Sequence, residues 1–223
     1  MNNNSFSDIS GKLYYVVEAH GSLIMAKSLF KNISTTMSGT SYSVVATPGS
    51  YSNQSSIVSS LFMNNNFNNI FYTQGIYNIE SCAIFNNTVS KLINNEKGAT
   101  VTAENNWWGS NSSIDSSMSD VIPTNYVVMD VSYAPVDEID TETEVTVTAD
   151  FTKNDAGSTL ENPIPDGVPV ELTTIMGTTN PETTTTVNGI ATAIYTSSTE
   201  GTETITVKQD ETSATINFEV VCR

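Results

Sequence analysis

Ser60-Leu61-Phe62-Met63-Asn64 returns 22 residues later as Cys82-Ala83-Ile84-Phe85-Asn86. In both, a small or polar residue stands two places before a large apolar one, and an asparagine two places after it. Ser28-Leu29-Phe30-Lys31-Asn32 and Asn4-Ser5-Phe6-Ser7-Asp8 fit the same frame, and Trp107 continues it with Asn105 before and Gly109 after. The large residues are therefore 24, 32, 22 and 23 apart. A recurring period of this size is the mark of a stacked repeat. The long interval reads as one coil with an insertion around Thr47-Pro48-Gly49-Ser50.

A period near 23 suits a coil of three short strands. Residues two apart on a strand face the same way, so the small and the large residue are both assigned to the interior. The Asn or Asp beyond them falls at a corner, where it takes left-handed backbone more readily than other side chains. Stacked coils are expected to set Asp8, Asn32, Asn64 and Asn86 above one another in a ladder that exchanges side-chain amide hydrogen bonds. Other strands are expected at Leu13–Val17, Tyr42–Ala46, Ile70–Tyr72 and Leu92–Ile93, and again at Leu23–Ile24, Ile76–Ile79 and Ala99–Val101. A leucine-rich repeat has a similar period but needs regular leucines, and residues 1–125 hold five. The expectation is a right-handed parallel β-helix.

The composition changes near residue 125. Residues 1–125 contain 19 of the 24 asparagines, with seven acids against five bases. Residues 126–223 contain 22 of the 31 threonines, with 17 acids against three bases. Such a shift implies two domains: a repeat domain at 1–125, a linker and first strand at 126–140, and a second domain at 141–223. The net charge of −16 disfavours a nucleic-acid partner, which would call for clustered Lys and Arg. The longest apolar run, Leu13 to Val17, is far short of the roughly 20 residues of a membrane-spanning helix.

The second part alternates. Val145, Val147, Ala149 and Phe151 share one face of a strand, and Val168, Val170 and Leu172 share another. Ile190–Tyr195, Thr204–Lys208 and Ala214–Val220 follow, separated by Asn154-Asp155-Ala156-Gly157, Pro165-Asp166-Gly167, Asn188-Gly189 and Glu200-Gly201. Asn-Gly is a strong hairpin signal, and short strands at this spacing read as an antiparallel sandwich of immunoglobulin size. The fold class expected for the whole chain is all-β: a parallel β-helix followed by an Ig-like β-sandwich.

Two resemblances sharpen this. Glu104-Asn105-Asn106-Trp107-Trp108-Gly109-Ser110-Asn111 resembles the end of the parallel β-helix in adhesin-like surface proteins of archaeal methanogens, which are Asn/Thr-rich. It implies a cap in which Trp107 and Trp108 cover the column and Gly109 permits the turn out; a Trp pair of this kind also suits stacking on a sugar. The stretches Val145–Phe151, Pro165–Thr174, Thr184–Tyr195 and Gly201–Val207 together resemble bacterial Ig-like domains of group 1, the invasin/intimin type. The combined resemblance implies an extracellular, cell-surface location, with carbohydrate or a surface protein of another cell as partner. Because Phe6 is already in phase, an upstream part carrying any export signal is expected, or else an oligomer.

Parallel β-helices host polysaccharide lyases and hydrolases, but residues 1–125 contain no arginine and their acids fall at scattered phases. Ala19-His20-Gly21 resembles the His-Gly of polygalacturonases without their paired Asp or Arg-x-Lys; His20 reads as a corner or surface residue. Asp137, Glu138, Asp140, Glu142 and Glu144 lack an EF-hand spacing and read as a solvated linker rather than a calcium site. Cys82 reads as a buried thiol that does not pair with Cys222. Sequons begin at Asn3, Asn32, Asn53, Asn86 and Asn111; Asn32, Asn53 and Asn86 are the glycosylation candidates. No catalytic residue, metal ligand or cofactor is expected. Contact residues are sought on loops, with Pro48, Tyr51 and Asn53 on the insertion as the candidates. The expected function is a non-catalytic adhesin-like one, the β-helix presenting a surface and the Ig-like domain acting as spacer or stalk. The alternatives are a purely structural envelope component and, more remotely, a polysaccharide-acting enzyme remnant.

Overall fold

A computed structural model describes residues 1–48, 54–96, 99–135 and 138–222. The described residues form strands and turns with no α-helix. The first coil carries β1 (Ser5–Ser7), β2 (Ser10–Gly11), β3 (Tyr15–Glu18) and β4 (Ile24–Ala26). The second carries β5 (Leu29–Lys31), β6 (Ser34–Thr35), β7 (Ser43–Thr47) and β8 (Gln54–Val58). The third has β9 (Leu61–Met63), β10 (Asn69–Thr73) and β11 (Ile76–Glu80), and the fourth β12 (Ala83–Phe85), β13 (Lys91–Asn95) and β14 (Val101–Thr102). Equivalent strands pair in parallel from coil to coil, giving three four-stranded sheets: β1-β5-β9-β12, β3-β7-β10-β13 and β4-β8-β11-β14. This is a β-solenoid, as the repeat implies.

The register follows the repeat. Phe6 pairs with Phe30, Phe30 with Phe62, and Phe62 with Ile84. The Phe30 and Phe62 rings stack at 4.7 Å with 2° between their planes, the inter-strand spacing expressed in side chains. Asp8, Asn32, Asn64 and Asn86 all have φ between 50° and 57°. Asn32 Nδ2 donates to Asp8 Oδ1 at 2.9 Å, and Asn86 Nδ2 to Asn64 Oδ1 at 2.6 Å. The expected ladder is thus present between the first and second coils and between the third and fourth. A second left-handed corner, at Asn3, Lys27, Ser59, Ser81 and Asn105, has too mixed a composition to be read from sequence. A second, inner ladder lies beside the first: Asn65 Nδ2 donates to Asn87 Oδ1, and Asn87 Nδ2 to Phe62 O at 2.9 Å.

The last coil departs from the expected phase by one residue. Ala83 bridges to Trp107, so Trp108 takes the place above Ile84 and Phe62. Asn106, not Asn105, fixes this register: its Oδ1 accepts from Cys82 N at 2.9 Å and its Nδ2 donates to Ile79 O at 2.8 Å. Successive strand residues face opposite sides. Trp108 therefore packs in the column with Phe62 and Ile84, whereas Trp107 points outward into a different core. The chain then makes a further partial turn. Ser119 bridges to Ile93 and Tyr126 to Asn106, and Ile114, Val121 and Tyr126 pack against the end of the column.

From Tyr126 the chain leaves the stack. β15 (Val127–Ala134), β17 (Val145–Asn154), β21 (Ile190–Thr196) and β19 (Thr178–Asn180) form one antiparallel sheet in the order β15-β17-β21-β19. β16 (Ile139–Asp140), β23 (Thr212–Val221), β22 (Gly201–Gln209), β18 (Pro169–Thr174) and β20 (Thr183–Thr185) form the other, in the order β16-β23-β22-β18-β20. β16 runs parallel to β23 and the remaining pairs are antiparallel. Val145, Val147, Ala149 and Phe151 are buried at alternate positions, as the pattern requires. At the Asn188-Gly189 turn both residues have positive φ, 52° and 77°, the conformation that makes Asn-Gly a hairpin former.

Candidate functional site

The sandwich lies along one side of the solenoid. Leu61, Met63, Ala83, Phe85 and Trp107 point outward from their sheet and share one buried cluster with Val147, Phe151, Ile164, Val168 and Val207. Trp107 meets Phe151 edge-on, with ring centroids 5.0 Å apart. Polar contacts ring this seam. Trp107 Nε1 donates to Gln209 Oε1 at 2.6 Å, Asn154 Nδ2 to Asn105 Oδ1 at 3.0 Å, and Asn111 N to Thr212 Oγ1 at 2.9 Å. The turn between β22 and β23 is the main foothold. Asp210 Oδ2 accepts from Asn86 N at 3.0 Å, and Glu211 N donates to Gly109 O.

Gly109 has φ +83°, and a Cβ there would run into Asp210 Oδ2 and lie 3.0 Å from Phe85 Cβ. Glycine is thus required at this position both by its dihedral and by the approach of the sandwich.

A groove of about 530 Å³ opens between the last coil and this turn. Trp108, Leu92 and Met118 give it apolar walls, and Asp115, Asp210 and Glu211 supply carboxylates. Trp108 is 7% exposed, and its Nε1–H is buried with no hydrogen-bond partner. Burial pushes the Asp210 carboxyl above the usual aspartate range, against the pull of the Asn86 N–H. The Ser117 backbone N–H holds Asp115 below that range. On the other side of the Asp210–Asn86 contact, a smaller groove of about 350 Å³ runs past Phe85, Glu171 and Lys208.

The residues singled out from the sequence are dispersed. Trp107, Trp108 and Gly109 converge on the seam. Pro48 is half-buried beside the insertion, while Tyr51 and Asn53 lie outside the described residues. Asn32 and Asn86 are exposed at the ladder corner. Asn111 is held to Met129, accepting from its N at 2.6 Å and donating to its O at 3.0 Å. His20 Nε2 lies 3.0 Å from Glu18 Oε1. Asp137 lies outside the described residues, and among those described no group of three His, Cys, Asp or Glu is placed to hold a metal ion. Cys82 is buried and Cys222 exposed, both as free thiols.

Sequence reading missed Asp210, Gln209 and Asp115. A hairpin tip signals its own turn, not the surface it rests on. One usable signal was present: Leu61-Phe62-Met63 and Ala83-Ile84-Phe85 are continuous apolar runs, the pattern of a sheet buried on both faces. No helix among the described residues is long and apolar enough to cross a membrane.

No family profile matches the chain, and no curated protein matches it significantly. Solved structures do show likeness. The D0-D1 domain of intimin aligns with 18% identity and a TM-score of 0.35, over 45% of this chain and 52% of that one. The C-terminal 282-residue fragment of intimin, in complex with the intimin-binding domain of the translocated intimin receptor, aligns with 18% identity and a TM-score of 0.32, over 42% and 32%. Domains 4 and 5 of the S-layer protein SbsC align with 14% identity and a TM-score of 0.31, over 46% and 57%. The chain thus spans less than two thirds of each of these structures.

Proposed function

We propose that this chain is a non-catalytic recognition element of a cell-surface, adhesin-like protein. In this reading residues 1–125 present the binding surface, residues 141–223 form the Ig-like spacer, and 126–140 join them. The partner is a glycan or a surface protein of another cell. The observation that carries the reading is the seam. Five outward side chains of the solenoid are buried in the sandwich cluster, so the two units are packed together rather than strung on a free linker. A spacer fixed in this way holds a contact surface in a set orientation. The adhesin-like resemblance of the Trp-Trp-Gly stretch and of the Ig-like strands supports the same reading.

The test is binding of the full chain to a printed glycan array and to intact cells. Saturable binding to either supports a recognition element. Absence of binding to both transfers the chain to a purely structural place in the envelope.

A further inference from the structure

We propose that the groove between the last coil and the Asp210–Glu211 turn binds a short neutral oligosaccharide; this rests on the recognition reading above. The volume of about 530 Å³ falls within the range of ligand sites, roughly 300–1,000 Å³. Its charge narrows the ligand class. Asp115, Asp210 and Glu211 line it, and no Lys or Arg does among the described residues, so uronate, sialate, sulfate and phosphate groups meet only like charge. A cation is disfavoured for a different reason: no three acidic, His or Cys side chains converge on one point among the described residues. Dispersed carboxylates instead suit dispersed hydroxyl donors, each forming a charge-assisted O–H···O⁻ bond.

The apolar part is complementary. Leu92, Ile114 and Met118, with the small exposed part of Trp108, offer a surface for the C–H face of a sugar ring.

The experiment titrates the full chain with maltotriose, cellotriose, mannotriose and triacetylchitotriose, with sialyllactose as the anionic control, following tryptophan fluorescence and heat of binding. Asp115→Ala and Glu211→Ala change exposed residues outside both cores. Saturation by a neutral trisaccharide, weakened about tenfold by each variant at unchanged melting temperature, is the expected result. Three results overturn the proposal: neutral binding that the variants leave intact, preference for sialyllactose, or no saturation by any neutral probe. Glycan or cell binding that persists in those cases keeps the recognition reading and places its site elsewhere. Loss of all binding removes both.

Discussion

Trp107 of the last coil gives its indole N–H to Gln209 of the sandwich at 2.6 Å, and both residues are buried, at 0% and 2% exposure. The two residues are 102 positions apart in the chain, one in the solenoid and the other in the sandwich. Gln209→Leu strands the indole donor and is expected to cost about 1–3 kcal/mol. Trp107→Phe removes the donor and part of the ring. If the bond couples the two units, the double variant loses less than the sum of the single ones in urea denaturation. Strict additivity would show that the contact is incidental.

Gly109→Ala should be more damaging than its small size suggests. It forces an alanine into left-handed backbone, at about 1–2 kcal/mol, and sets a methyl group against the Asp210 carboxylate. Adding Asp210→Ser to Gly109→Ala should return part of the lost stability by removing the obstructing oxygen. No recovery in the thermal melt would mean that the dihedral accounts for the whole effect.

At Asn86 two substitutions separate conformation from hydrogen bonding. Gly and Ala both delete the amide that donates to Asn64 Oδ1, but only Ala is strained at φ 50°. Asn86→Ala is therefore expected to be about 1 kcal/mol less stable than Asn86→Gly. Equal melting temperatures would argue against a left-handed corner.

Glu203 is fully buried in the sandwich. Its carboxylate accepts from Tyr195 OH at 2.6 Å and from the backbone N–H groups of Ile175, Met176 and Gly177. Burial alone would raise its pKa; the hydrogen bonds from Tyr195 and the 175–177 turn outweigh that and hold it below the ordinary glutamate value. A depressed acid stabilises the fold above its unfolded pKa, near 4.3, and loses that contribution as pH falls through the lower folded value. Glu203→Gln should cost about 2–3 kcal/mol at neutral pH. It should also reduce the further loss of stability on acidification below about pH 4. An unchanged acid profile would assign the acid sensitivity to other carboxylates.

Burial pushes the Cys82 thiol up to about 12. At pH 8 a thiol reagent should therefore label the native chain once, at the exposed Cys222, and twice after denaturation. Fast labelling of both in native buffer would show that the column opens.

The repeat was legible because its constraint is local: a large side chain two places before a corner, and an Asn or Asp at the corner itself, recur in four coils. The phase of the last coil was not, since adjacent tryptophans at 107 and 108 fit the column equally well as letters. Only Asn106, through its hydrogen bonds to Cys82 and Ile79, chooses between them. The seam lay half in view. The triplets Leu61-Phe62-Met63 and Ala83-Ile84-Phe85 announce burial on two faces, but nothing local names the surface that covers the second. The groove depends on Asp210 reaching Asn86 across 124 positions, a contact set by how the sandwich meets the solenoid and not by any short pattern.

The parallel pairing of β16 with β23 has a mechanical consequence. β23 is flanked by β22 on one side and β16 on the other, with Ile139 beside Val220 and Asp140 beside Val221. Tension applied at Val221 along the strand would load the hydrogen bonds of both ladders in shear, all at once, instead of peeling them one after another. Strand β23 is thereby held on both sides against a pull along its length.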